Sequence, residues 1–261
     1  MPRFSANISL MYTEFPVVER FERAAASGFR AVEFLYPRDD DLAEMRAALD
    51  RTGLTLLQIN APRGRGGGDR PGAHDPRRCD EYRSEMERAF DMALYLGASQ
   101  MHCTSGVTLP DVAFDVQWET LVENMVWVAE RAATIGITPM IEPLNTFDTP
   151  GYMVSTTTTA MRLIEAADQP NLRLQYDLYH TQRMEGNHTD NLTRLLPLIA
   201  NIQVSETPGR RALGDGELNM PYIFRLLDRL GYSGWVGVGY LTDPPTDDSL
   251  AWLRASGFWD R

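Results

Sequence analysis

The chain repeats one phrase along most of its length: an amphipathic helix, a glycine or asparagine just past its end, then a short apolar run. "VVERFERAAASG" precedes "FRAVEF", "DLAEMRAALDRTG" precedes "LTLLQIN", and "MERAFDMALYLG" precedes "ASQMHC". Farther on, "MVWVAERAATIG" precedes "ITPMIEP", "TTTTAMRLIEAADQPN" precedes "LRLQYD", and "PYIFRLLDRLG" precedes "YSGWVGVGY". Leu42, Met45 and Leu49 carry the i, i+3, i+7 spacing of a buried helical stripe, and the glycines stand where a left-handed residue ends a helix. With "FSANIS" at the start and "IANIQVS" late in the chain, eight strand candidates result, each followed by a helical segment.

Such alternation requires a parallel sheet, because every helix carries the chain back to start the next strand. Eight units over 261 residues match a closed (β/α)8 TIM barrel, one domain spanning residues 1–261. The alternative is an open doubly wound sheet, but no G-x-G-x-x-G turn follows the first strand. An apolar content of 43% supplies the single large core that a barrel needs.

Composition then narrows the function. A net charge of −11 opposes nucleic-acid and anionic-membrane partners, which need dense positive patches, while leaving room for a local arginine cluster around an acidic substrate. No run approaches the roughly 18 apolar residues of a membrane span. The opening "MPRFSANISLMYTEF" lacks a signal pattern, so a cytoplasmic protein is expected. Cys79 and Cys103 have no motif spacing and read as free thiols. The chain has no lysine, so all 25 basic residues are arginine. That removes Schiff-base aldolases, pyridoxal-phosphate enzymes and the lysine-dependent phosphate loop. The low-complexity stretch "PRGRGGGDRPGAHDPRR", residues 62–78, reads as a mobile surface loop; on the catalytic face of a barrel its arginines would instead form a lid over an anionic substrate.

Barrel active sites lie at the carboxyl ends of the strands. There the fifth strand ends in Glu142, the sixth in Asp177 and the seventh in Gln203, spaced 35 and 26 residues apart, about one βα unit each. Two carboxylates and an amide oxygen form a hard-oxygen site that suits Mg2+ or Mn2+. The alternative for each residue alone is a cap on a neighbouring loop or helix. His180, three residues after Asp177, is expected either at the same mouth or as a hydrogen-bonded structural histidine. His102 ends the fourth strand as a substrate contact or a core histidine, whereas His74 and His188 read as loop residues. Asn7, Glu33 and Asn60 are further polar strand ends, and Glu33, if buried, is expected to pair with an arginine or a backbone amide.

These residues resemble hydroxypyruvate isomerase and its relatives among the xylose-isomerase-like barrels, including 2-oxo-tetronate isomerases and ketose 3-epimerases. The resemblance covers nearly the whole chain, through "MPRFSANISLMYTEFPVVERF", "GFRAVEFLYP", "IEPLN", "QYDLYH", "NIQVSETPGR" and "GDGELNMPYIFRLLDRLGYSGWVG". It implies a divalent metal, Mg2+ or Mn2+, held by four strand-end residues, and two glutamates acting as acid and base across an enediolate. Glu142 matches a ligand that doubles as base, and Asp177 and Gln203 match ligands. His180 matches a substrate contact, and Arg210 in "TPGR" matches an arginine over the substrate; Asn145, Asn60 and His102 complete the expected substrate-binding set. Relatives form dimers or tetramers, so a homo-oligomer acting on a small anionic or polyhydroxy substrate is implied.

Two departures stand out. The family's eighth strand ends G-x-x-x-E-Y, where the glutamate is the fourth ligand and the second acid/base; here that position is Gly239. Arg211, Ala212 and Leu213 stand where relatives carry a His-Glu-Pro run. Three outcomes are open. Isomerase or epimerase chemistry proceeds with Glu142, Asp177 and Gln203 alone; Glu206, Glu217 or Asp243 substitutes; or the chain has moved to a lyase or cyclase reaction, or to ligand binding without catalysis.

Overall fold

The structure, a computed structural model, describes residues 2–61, 72–242 and 245–259. Its strands are β1 (Arg3–Asn7), β2 (Ala31–Phe34), β3 (Thr55–Asn60), β4 (Gln100–His102), β5 (Thr138–Ile141), β6 (Arg173–Asp177), β7 (Ile199–Val204) and β8 (Trp235–Val238). They form a closed parallel barrel in chain order, with β8 pairing back onto β1 through Phe4 opposite Val236 and Ser5 opposite Gly237. The helices outside it are α1 (Val17–Ala26), α2 (Leu42–Thr52), α3 (Cys79–Leu96), α4 (Phe114–Ile135), α5 (Thr157–Ala167), α6 (Leu178–Met184), α7 (His188–Leu195), α8 (Met220–Arg229), α9 (Thr246–Ser249) and α10 (Ala251–Ala255). No helix among the described residues is long and apolar enough to cross a membrane.

The helix stops follow the expected chemistry with one exception. Gly53, Gly97 and Gly136 end α2, α3 and α4 in the left-handed conformation. The stop after α5 was expected at Asn171 but falls on Asp168 at φ +47, because a short side chain that can bond its own backbone also tolerates that region.

Strand residues alternate between an apolar outer face and a polar interior. Phe4, Ala6, Val32, Ile59, Ile202 and Val236 are buried in the apolar core, while Ser5, Glu33, Gln58, Gln175, Asn201 and Gln203 are buried on the other parity of their strands. Most of these polar groups pair with one another, whereas Gln58 Nε2 and Gln175 Oε1 have no hydrogen-bond partner. Ser5 Oγ and Asn201 Nδ2 donate to Glu33 Oε1 at 3.0 and 3.1 Å, Asn201 Nδ2 also reaches Gln58 Oε1, and Gln203 Nε2 donates to Glu33 Oε2. Glu33 therefore pairs with side-chain amides and a hydroxyl, not with the arginine or backbone amide that its burial suggested. The barrel closes around it, since a Cβ on Gly237 would lie 2.1 Å from Glu33 Oε1.

Candidate active site

The three strand-end residues converge. Asp177 ends β6 and caps α6, its Oδ1 accepting the Tyr179 N–H at 2.8 Å. Parallel register sets Gln203 of β7 beside it, and Glu142 follows directly on β5. Ligand atoms of Glu142, Asp177 and His180 all lie within 4.8 Å of one another, and all three residues are buried. Gln203, 3% exposed, is held from two sides: Nε2 by Glu33, and Oε1 by Gln175 Nε2 at 3.0 Å. An amide oxygen has two lone pairs, so Oε1 keeps one for the mouth.

His180 and Arg210 belong to the same cluster. His180 Nδ1 accepts the backbone N–H of Asn145 at 3.1 Å, and Asn145 Nδ2 lies 2.7 Å from the same atom. Asn145 thus stands behind the ring and fixes its tautomer, leaving the proton of the neutral imidazole on Nε2. Arg210, in the left-handed region at φ +53, donates from Nη2 to Asp177 Oδ2 and from Nε to the Gly239 carbonyl, both at 3.0 Å. Its Nη1 lies 3.1 Å from His180 Nε2. Both groups are donors, so an oxygen placed between them would accept from both.

Burial dominates the electrostatics. It pushes the Glu142 carboxyl well above the usual carboxylate range, and the charge of Asp177 adds to the rise. It lowers His180 to about 4 against the opposing pull of Asp177, so the ring is neutral at pH 7. His102 Nδ1 lies 3.1 Å from Glu142 Oε2. The two buried carboxylates and the amide oxygen fit a divalent cation of the Mg2+ or Mn2+ kind, which would relieve the repulsion between Glu142 and Asp177.

The cluster opens into a cavity of about 920 Å³ whose walls include Asn60, His102, Glu142, His180, Gln203 and Arg210. His74, read as a loop residue, is buried in the opposite wall with its Nδ1 2.6 Å from the Ser105 carbonyl oxygen; Gly72 and Gly106 pack so closely on its ring that no Cβ fits at either. Nothing in the string "GAHDP" reveals that packing. His188 starts α7 and bonds Tyr176, so it too is a buried, structured residue. Arg77 and Arg78 line the cavity but pair with Asp75, Asp111 and Glu81. Residues 62–71 of the arginine loop lie outside the described residues.

On the eighth strand the mouth changes character. A Cβ on Gly239 would meet Asn7 Cβ at 3.3 Å, Asn7 Nδ2 at 3.6 Å and Leu10 Cδ1 at 3.7 Å, so the backbone accepts a side chain with a small adjustment. The substitutes are committed elsewhere or undescribed. Glu206 accepts the N–H groups of Gly214 and Leu218 inside its own loop, exposed Glu217 accepts from Thr207 Oγ1, and Asp243 lies outside the described residues. Arg211 bonds the Pro208 carbonyl on the exposed side of that loop.

Comparison with known proteins gives a consistent answer. Residues 21–256 match the family model of the xylose isomerase-like TIM barrel. The chain is 40% identical to a 2-oxo-tetronate isomerase of Cupriavidus necator, over 97% of this chain and 98% of that protein. It is 37% identical to a hydroxypyruvate isomerase of Escherichia coli, with the same shares covered. A solved structure of a Brucella melitensis protein described as AP endonuclease, family 2, superposes with a TM-score of 0.93 at 38% identity, covering 98% of this chain and 99% of that one.

Proposed function

Since the chain belongs to the xylose isomerase-like TIM barrel family, in the branch of the 2-oxo-tetronate and hydroxypyruvate isomerases, we propose that it is an isomerase that shifts a carbonyl between adjacent carbons of a small hydroxy-oxo acid. The observation that carries this reading is Glu142: a buried carboxyl of raised proton affinity that lines the cavity beside His102, Asp177, His180 and Gln203. The activities for which the Cupriavidus necator and Escherichia coli relatives are named support hydroxypyruvate or a 2-oxo-tetronate as substrate. A net charge of −11 argues against the nucleic-acid substrate that the Brucella melitensis description suggests.

Glu142 takes the proton from the hydroxyl-bearing carbon and returns it to the neighbouring carbon through an enediolate, while the hydroxyl proton passes to the former carbonyl oxygen. His180 Nε2–H and the Arg210 guanidinium donate to the substrate oxygens as charge develops on them. Glu142, Asp177 and Gln203 would hold Mg2+ or Mn2+, which when bound supplies positive charge for the enediolate oxygens. A single carboxylate serves one face of the enediolate, which is sufficient for a proton shift between neighbouring carbons. Inverting one carbon needs an acid on the other face, where this chain has Gly239. We therefore favour isomerisation over epimerisation.

Proton NMR in D2O with Mg2+ tests this. Hydroxypyruvate should incorporate metal-dependent deuterium beside the carbonyl and convert to its aldehyde isomer, and 2-oxo-tetronate should do so and convert to its 3-oxo isomer, while ketoses give no inverted epimer. Exchange that persists in Glu142→Gln would sink the assignment of the base.

A further inference from the structure

Position 239 carries no side chain, and the atoms nearest to where its Cβ would stand belong to Asn7 and Leu10, one of them an amide donor. Asn7 is fully buried; its Oδ1 accepts the Ser9 N–H at 3.2 Å, which orients Nδ2 away from that turn. Nδ2 has no hydrogen-bond partner and lies 3.6 Å from where a Cβ of residue 239 would stand. A buried amide donor left unpaired has given up its water without a replacement partner. On the other side, Arg210 is anchored to the Gly239 carbonyl itself. Leu10, a partly exposed cavity-wall residue 3.7 Å from the same Cβ position, is the one movable side chain closing the gap.

We propose that the gap beside Gly239 is a carboxylate subsite, in which the carboxylate of the substrate lies between Asn7 Nδ2 and Arg210 once Leu10 changes rotamer. A carboxylate is the occupant that accepts from the unpaired Asn7 amide and from the N–H groups that Arg210 keeps beyond those given to Asp177 and the Gly239 carbonyl, and a hydrocarbon satisfies neither. The subsite deepens the isomerase reading and rests on it for the identity of the ligand: the substrate brings the carboxylate that this strand lacks. It selects oxo acids over neutral ketoses of the same length.

Binding of acetate to the metal-free full-length protein, followed by NMR titration in EDTA, tests the subsite without turnover. Saturable binding is expected, at least tenfold weaker in Gly239→Glu, whose own carboxylate fills the gap, and in Asn7→Asp, which exchanges the donor for an acceptor. Hydroxypyruvate should displace acetate and dihydroxyacetone should not. Should Asn7→Asp fail to fold, Gly239→Glu carries the test. Absent or unsaturable binding, binding unchanged in Gly239→Glu, or failure of hydroxypyruvate to compete would each overturn the subsite. Competition by hydroxypyruvate in a protein that gives no deuterium exchange would keep the subsite and reject the isomerase reading.

Discussion

Two arcs of the same barrel mouth differ sharply in how they are built. The arc from β4 to β7 presents His102, Glu142, Asp177 and Gln203, every one tied to a named neighbour. Across the ring, β8 and β1 present Gly239 and Asn7, with no ionisable group and one buried donor lacking a partner. The first arc concentrates charge and makes its own proton affinities; the second leaves that work to whatever enters. The ionisable groups of this mouth therefore belong to one arc and not to the whole ring.

The largest expected break in this contrast is Glu142→Gln. Removing the base should lower turnover 10²- to 10⁴-fold with the fold intact by circular dichroism; turnover within a factor of two would take Glu142 out of the chemistry. Next comes Asp177→Asn, which retains the cap on α6 but not the charge, and Mn2+ affinity measured by calorimetry should fall more than tenfold. Unchanged affinity would move the metal elsewhere. Gly239→Glu transfers charge to the poor arc and should tighten Mn2+ by about tenfold, while weakening the carboxylate-bearing substrate. If neither quantity moves, residue 239 does not face the mouth.

The pH dependence of stability is a smaller effect that separates the arcs. Glu142 is raised from 4.5 on folding, so its contribution is full below that value and is lost as pH rises toward the folded value. His180 is lowered from 6.5 to about 4, so its contribution is full above 6.5 and is lost as pH falls toward 4. Between about 4.5 and 6.5 the two slopes oppose. Above 6.5 the metal-free protein should lose stability at up to about 1.4 kcal/mol per pH unit for the one group. Denaturant titrations of Glu142→Gln should show that decline reduced, with the remainder from Glu33, which burial also raises. A profile identical to wild type would show that Glu142 does not titrate there.

What sequence alone could read follows from what is periodic. Met45 and Leu49 are buried as their spacing requires, Gly53 and Gly97 stop their helices, and strand ends one βα unit apart had to share a mouth. Contacts between distant loops carry no such period. The clamp of Gly72 and Gly106 on His74 joins segments whose relation only the closed barrel defines, and the Glu33 network joins β1, β2, β3 and β7 through side chains that look unremarkable singly. Gly239 was visible because its neighbours matched a family pattern and it did not. What surrounds it, Asn7 above all, was not.

The two-sided grip on Gln203 also bears on how such a barrel changes over generations. An exchange at 203 strands Glu33 Oε2 and Gln175 Nε2 together, two buried polar groups in one step, and needs companion changes to be tolerated. An exchange at 239 strands nothing that the rest of the protein had paired. Mutation can thus reach the eighth-strand position singly, in either direction, while the seventh is held in place by its neighbours, and new substrates are most readily explored from the unguarded side.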